Sequence, residues 1–128
     1  MPEPCILLLV PDLFFLAKIS STAREVGVAT ATLLPGQDPA EAARKTGARA
    51  LIVDLDLEGA DPIDLAAKLR VDGAAPVRLV GIFSHVHAER RGSALREGFD
   101  LVLPRSKFSA ELPFLLRELA AGGAGPQA

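Results

Sequence analysis

Apolar residues gather into short unbroken runs, separated by stretches in which they recur every three or four positions. Residues 5–10, Cys-Ile-Leu-Leu-Leu-Val, form the first run, and it stops at Pro11. A run of that length without alternation predicts a strand buried on both faces. Asp12 stands where a helix N-cap belongs. Phe15, Leu16, Ile19, Ala23 and Val26 then recur at helical spacing, with Lys18, Ser21 and Glu25 opposite. Gly27 occupies the place of a helix C-terminal glycine.

The same unit is then repeated. Residues 28–34 are β-rich and end at Pro35-Gly36, and Asp38-Pro39-Ala40-Glu41 is a helix start, closed by Gly47. Ala50 to Val53 is a second buried run ended by Asp54, and Asp61-Pro62-Ile63-Asp64 opens a third helix. Val77 to Phe83 predicts a fourth strand ended by Ser84, and residues 88–97 a fourth helix stopped by Gly98. Leu101 to Leu103 predicts a short fifth strand. Ser109 is expected to cap a last helix carrying Leu112, Leu115, Leu116 and Leu119 on one face, with Pro113 in its first turn. The order is (βα)5. Buried strands joined by helical crossovers require a parallel, doubly wound sheet covered by helices on both faces.

Composition narrows the function classes. Hydrophobic residues make up 49% and charged residues 23% of 128 positions, an ordinary globular balance that excludes a disordered chain. One domain is expected over residues 1–121, with a flexible Gly/Ala/Pro/Gln tail over 122–128. No apolar run approaches the roughly 20 residues of a membrane helix. The apolar run near the start has no basic residue before it, so no secretory signal and a cytoplasmic location are expected. The single cysteine, Cys5, excludes an internal disulfide and reads as a buried small hydrophobe. A net charge of −2, with no Trp or Tyr, gives no support for nucleic-acid binding.

The chemistry lies at the strand ends. Ligands of doubly wound sheets bind at the carboxyl ends of the strands. There the chain carries Asp12, Asp54, Asp56, Ser84 and, after the fifth strand, Pro104-Arg105-Ser106-Lys107. Carboxylates, a hydroxyl and a cation on one rim suit divalent-metal and phosphoryl chemistry.

At these positions the chain resembles the receiver domains of bacterial two-component response regulators, over residues 5–121. The resemblance implies a flavodoxin-like three-layer α/β/α fold with strand order 2-1-3-4-5. It implies that Asp54 is the phosphoacceptor, that Ser84 is the hydroxyl bonding the phosphoryl group, and that Arg105 holds the place of the family lysine. Asp12, Asp54 and the backbone carbonyl of Asp56 would ligate Mg²⁺. A histidine kinase or other signalling protein would be the partner. The departures are Pro11 for the first acid, Arg105 for the lysine, Ser106 for the proline after it, Val102 for the switch aromatic and Glu58 for the usual proline. The chain thus resembles an atypical receiver, and its Mg²⁺ binding is expected to be weakened by Pro11. Phe83-Ser84-His85-Val86 and Leu103-Pro104-Arg105-Ser106 also resemble a group of small stand-alone receiver-like bacterial proteins.

The plainer readings stay open at this point. Asp12 and Asp54 also read as caps, and His85, His87 and Glu89 as solvated residues rather than a zinc or iron site. Phe14 falls on the polar face of the first helix, one turn from the acids, and reads as a contact residue or as a ring packed half-buried at an edge. Arg91, Val102 and Phe114 are expected on a partner surface formed by the fourth helix, fifth strand and last helix, a face that also suits a homodimer. With no output domain expected after the last helix, the leading function is a single-domain signalling module rather than an enzyme, acting through protein contacts with Asp54 as phosphoacceptor. The alternatives are a phosphorylation-independent adaptor and a small-molecule binder or enzyme using the acidic rim. Against a nucleotide binder, no glycine-rich loop follows the first strand.

Overall fold

The computed structural model describes residues 5–34, 36–57, 61, 64, 67–69, 77–84, 92, 94–96 and 98–121. In chain order these form β1 (Cys5–Leu9), α1 (Leu13–Glu25), β2 (Ala29–Thr32), α2 (Pro39–Thr46), β3 (Ala48–Asp54), β4 (Arg78–Phe83), β5 (Leu101–Pro104), α3 (Arg105–Ala110) and α4 (Leu112–Ala120). Asp64, residues 67–69, Gly92 and residues 94–96 are also helical. They fall within the expected third and fourth helices, most of which lie outside the described residues, as does the expected tail.

The five strands are parallel in the order β2-β1-β3-β4-β5. The unbroken apolar runs are explained by two separate cores. Ile6, Leu8, Ile52, Val80 and Ile82 point to one face and pack with Phe15 and Ile19 of α1 and with Phe108, Leu115 and Leu116 of α3 and α4. Leu7, Leu9, Leu51, Val53 and Leu79 point to the other, against α2 and the buried Leu69 and Ala94. A pleated strand turns successive side chains to opposite faces, so a strand covered on both must be apolar throughout. The one charge in the first part of β3, Arg49, escapes because the register slips there: Cys5 pairs with Ala48 and Ile6 with Ala50, which leaves Arg49 unpaired and exposed. Cys5 is buried as expected, and burial raises its thiol pKa.

The caps follow the sequence at α1 and α2. Asp12 accepts from the Phe14 and Phe15 amides, Asp38 accepts from the Ala40 amide, and Gly47 ends α2 at φ 68°. The end of the chain differs from expectation. Ser109 caps nothing; it lies inside α3, which starts at Arg105 directly after β5. The helix breaks at Glu111 and restarts as α4. Pro113 supplies the reason: it has no N–H for the Ser109 carbonyl and its ring would collide with that carbonyl, so a continuous helix is barred.

Gly81 illustrates the tightness of the second core. A Cβ there would lie 2.8 Å from Leu55 Cδ1, 3.1 Å from Leu55 Cγ and 3.2 Å from a ring carbon of Phe99. Gly81→Val is therefore expected to cost about 1–3 kcal/mol by overpacking, despite valine's preference for strands. Urea unfolding measures it, and an unchanged midpoint would show that Leu55 moves freely.

Candidate functional site

The carboxyl ends of β1, β3, β4 and β5 bring Asp12, Asp54, Ser84 and Arg105 to one rim. Asp12 performs two tasks. Its Oδ1 caps α1, accepting from Phe14 N–H at 3.0 Å and Phe15 N–H at 3.2 Å. Its Oδ2 accepts from Arg105 Nη1 at 3.1 Å. Asp54 ends β3 and is 4% exposed, the one buried charged residue among those described. Its Oδ1 accepts from the Asp56 amide at 2.9 Å, and its Oδ2 from Arg105 Nη2 at 3.0 Å. Asp56 turns its Oδ2 to the backbone amide of Ser84, at 2.7 Å. The cap reading of Asp12 holds for Oδ1, while Oδ2 faces a cation of the chain itself, Arg105.

Arg105 joins the two acids. As the first residue of α3 it spans Asp12 and Asp54 with the two arms of its guanidinium, whose Cζ lies 4.6 Å from the centre of the Phe15 ring. Phe15 is in turn met edge-on by Phe108, with ring centres 6.0 Å apart. Arg105 Nε is buried without a hydrogen-bond partner. Phe15 reads in the sequence only as a core position. The signal for its further part is that an aromatic stands three residues after the capping acid.

The two carboxyls are pushed in opposite directions. Asp12 is held below the usual carboxylate range, first by the Phe15 amide and with help from the Phe14 amide and Arg105. Asp54 is raised, because burial penalises its charge and the neighbouring Asp56 and Asp12 charges add to that. The Asp56 amide and Arg105 only partly offset it.

Mg²⁺ requires about six oxygens in near-octahedral array at about 2.0–2.1 Å. Here the Arg105 guanidinium stands between the two Oδ2 atoms, so an ion on that pair would meet its positive charge, and both Oδ1 atoms accept from backbone amides. Pro11 supplies no charge. Among the described residues no three His, Cys, Asp or Glu side chains group as a metal-ligand set. With Arg105 between them, the Asp12 and Asp54 carboxylates as arranged do not fit a divalent ion.

The expected contact residues separate. Phe14 is 91% exposed and Phe114 48%. Val102 is not on the surface: it is 6% exposed, because β5 turns it toward the core shared with Phe99 and Leu79. Arg91, Glu58, His85, His87 and Glu89 lie outside the described residues. Leu13 and Leu34, which the apolar periodicity does not single out, are 74% and 62% exposed. With Pro11, Leu16 and Leu57 they line an apolar cleft of about 200 Å³ beside the rim. The excess of apolar residues at 13–16 over one helix stripe was the available signal.

No family model matches the chain, and no curated protein matches it in sequence. Solved structures do match. A response regulator receiver protein from Burkholderia phymatum is 23% identical with a TM-score of 0.70, covering 98% of this chain and 100% of that one. The signal receiver domain of a response regulator from Bermanella marisrubri is 19% identical with a TM-score of 0.78, covering 91% and 98%. A response regulator from Burkholderia pseudomallei, solved with a phosphorylated aspartic acid, calcium and citrate, is 17% identical with a TM-score of 0.75, covering 93% and 69%. Strand order, crossover helices and these superpositions agree that the chain has the receiver-domain fold of response regulators.

Proposed function

We propose that this chain is a receiver-type signalling module that acts by binding another protein and does not depend on phosphoryl transfer. The observation that carries this is Arg105, which holds Oδ2 of both Asp12 and Asp54. The oxygen of Asp54 that would attack a phosphorus atom is paired, and the donor set beside it does not fit a divalent ion. Next to this closed rim Leu13, Phe14 and Leu34 expose large apolar surfaces, which supports a preformed protein contact.

A second reading rests on the alignment of Asp54, Ser84 and Arg105 on successive strand ends. In it Asp54 is the phosphoacceptor: a carboxylate oxygen attacks phosphorus, the donor atom (the imidazole nitrogen of a kinase phosphohistidine, or the acetate oxygen of acetyl phosphate) leaves with the bonding pair, and Ser84 and Arg105 bond the phosphoryl oxygens. Incubation with acetyl phosphate and Mg²⁺ separates the two. The intact mass is expected to stay unchanged. One added phosphate that Asp54→Ala abolishes would establish the second reading instead.

A further inference from the structure

We infer that Arg105 is the resident cation of the acidic rim and takes there the place of a divalent metal ion. This rests on the reading that the site works without phosphoryl transfer, and adds to it what keeps the carboxylates neutralised.

Three observations converge. The guanidinium fork matches the separation of two carboxylates from different strands, with Nη1 on Asp12 at 3.1 Å and Nη2 on Asp54 at 3.0 Å. Its Cζ lies over the Phe15 ring, 4.6 Å from the centre, and Phe108 packs against that ring in a T-shaped arrangement. Its Nε is buried with no hydrogen-bond partner, so that end of the group is withdrawn from water and not merely resting on the surface. Position also speaks for a specific attraction. Arg105 begins a helix, where the backbone dipoles disfavour a cation, and the carboxylates outweigh them. An exposed ion pair would be a weaker argument, but Arg105 and Asp54 are 27% and 6% exposed at the side chain.

A built-in cation has a consequence. An ion that comes and goes would make the charge of this rim depend on free Mg²⁺, whereas a covalently attached guanidinium does not. The rim is therefore constant in charge and shape, as a preformed contact surface requires.

The test is a Mg²⁺ titration of the full chain followed by amide NMR, comparing the unchanged protein with Arg105→Gln. The unchanged protein is expected to show no saturable shifts at residues 12 and 54–56. Arg105→Gln, with the oxygens freed, is expected to show saturable shifts at those residues, at a Mg²⁺ concentration about tenfold or more below the highest at which the unchanged protein still shows none. Should that variant melt below the measuring temperature, Arg105→Lys provides the same readout, since a compact ammonium engages one carboxylate at a time. Equal affinity in all three proteins, or binding by none, would overturn the inference. The two readings fail separately. Phosphate on Asp54 in the presence of EDTA would overturn the phosphorylation-independent reading and leave the resident cation standing; saturable Mg²⁺ binding by the unchanged protein without phosphorylation would do the opposite.

Discussion

Arg105→Ala is expected to lose about 3 kcal/mol of stability at neutral pH, because it strands the buried Asp54 carboxylate without its cation. In a domain of this size that is a fall of roughly 10 °C in melting temperature. The loss should depend on pH, and its sign follows from the Asp54 carboxyl, which burial raises. A carboxyl raised in the folded state favours folding fully below its unfolded value of about 3.9, and that contribution disappears as the pH rises through the folded value. Without Arg105 the folded value rises further, so the deficit is largest at neutral pH and shrinks on acidification. Asp12 slopes the other way. Its lowered carboxyl contributes stability above the unfolded value, lost as the pH falls through the folded one. Since the Phe15 amide is its main cause, that contribution survives the substitution. Thermal melts from acid to neutral pH measure both. Adding Asp54→Asn should restore much of the loss, because no buried charge is then left unpaired. A deficit that ignored pH would mean that Arg105 stabilises by packing on Phe15 and not by charge.

Phe108→Ala should cost about 3–5 kcal/mol, a large part of the roughly 5–15 kcal/mol that holds a domain together. Phe108 is fully buried in the core that holds Ile6, Ile52, Ile82 and Leu116, so its removal leaves a cavity there. The effect should reach the site. Phe108 meets Phe15 edge-on, and Phe15 carries the Arg105 guanidinium, so the ring's loss frees the shelf on which the cation rests. Denaturant unfolding measures the first effect. Sharper or broader Arg105 side-chain N–H signals measure the second, with broadening the expected result. Phe108→Leu keeps most of the volume and should cost less than about 1.5 kcal/mol.

The resemblance to receivers and the alternation of apolar runs with helical periods were enough for the fold: strand order, parallel pairing and the α1 and α2 caps all agree with the chain read alone. These features are legible because they are local. A strand buried on both faces must be apolar at every position, and a capping Asp must lie two or three residues before the amides it serves. The rim was legible as a list of residues, since Asp12, Asp54, Ser84 and Arg105 each follow a strand. What each does was decided in three dimensions. Whether Asp12 caps or pairs, and that it does both, depends on Arg105 arriving from 93 positions away. Val102 looked available because a short strand carries too few positions to show which face is covered, and it is the core around Phe99 that buries it. Phe15 as a shelf, Leu13 and Leu34 as exposed surface and the break at Glu111 likewise follow from which elements meet. Local pattern determines which groups stand at the end of each strand. Only packing sets the distances between them, and charge chemistry changes with an ångström of distance and with the loss of a single layer of water.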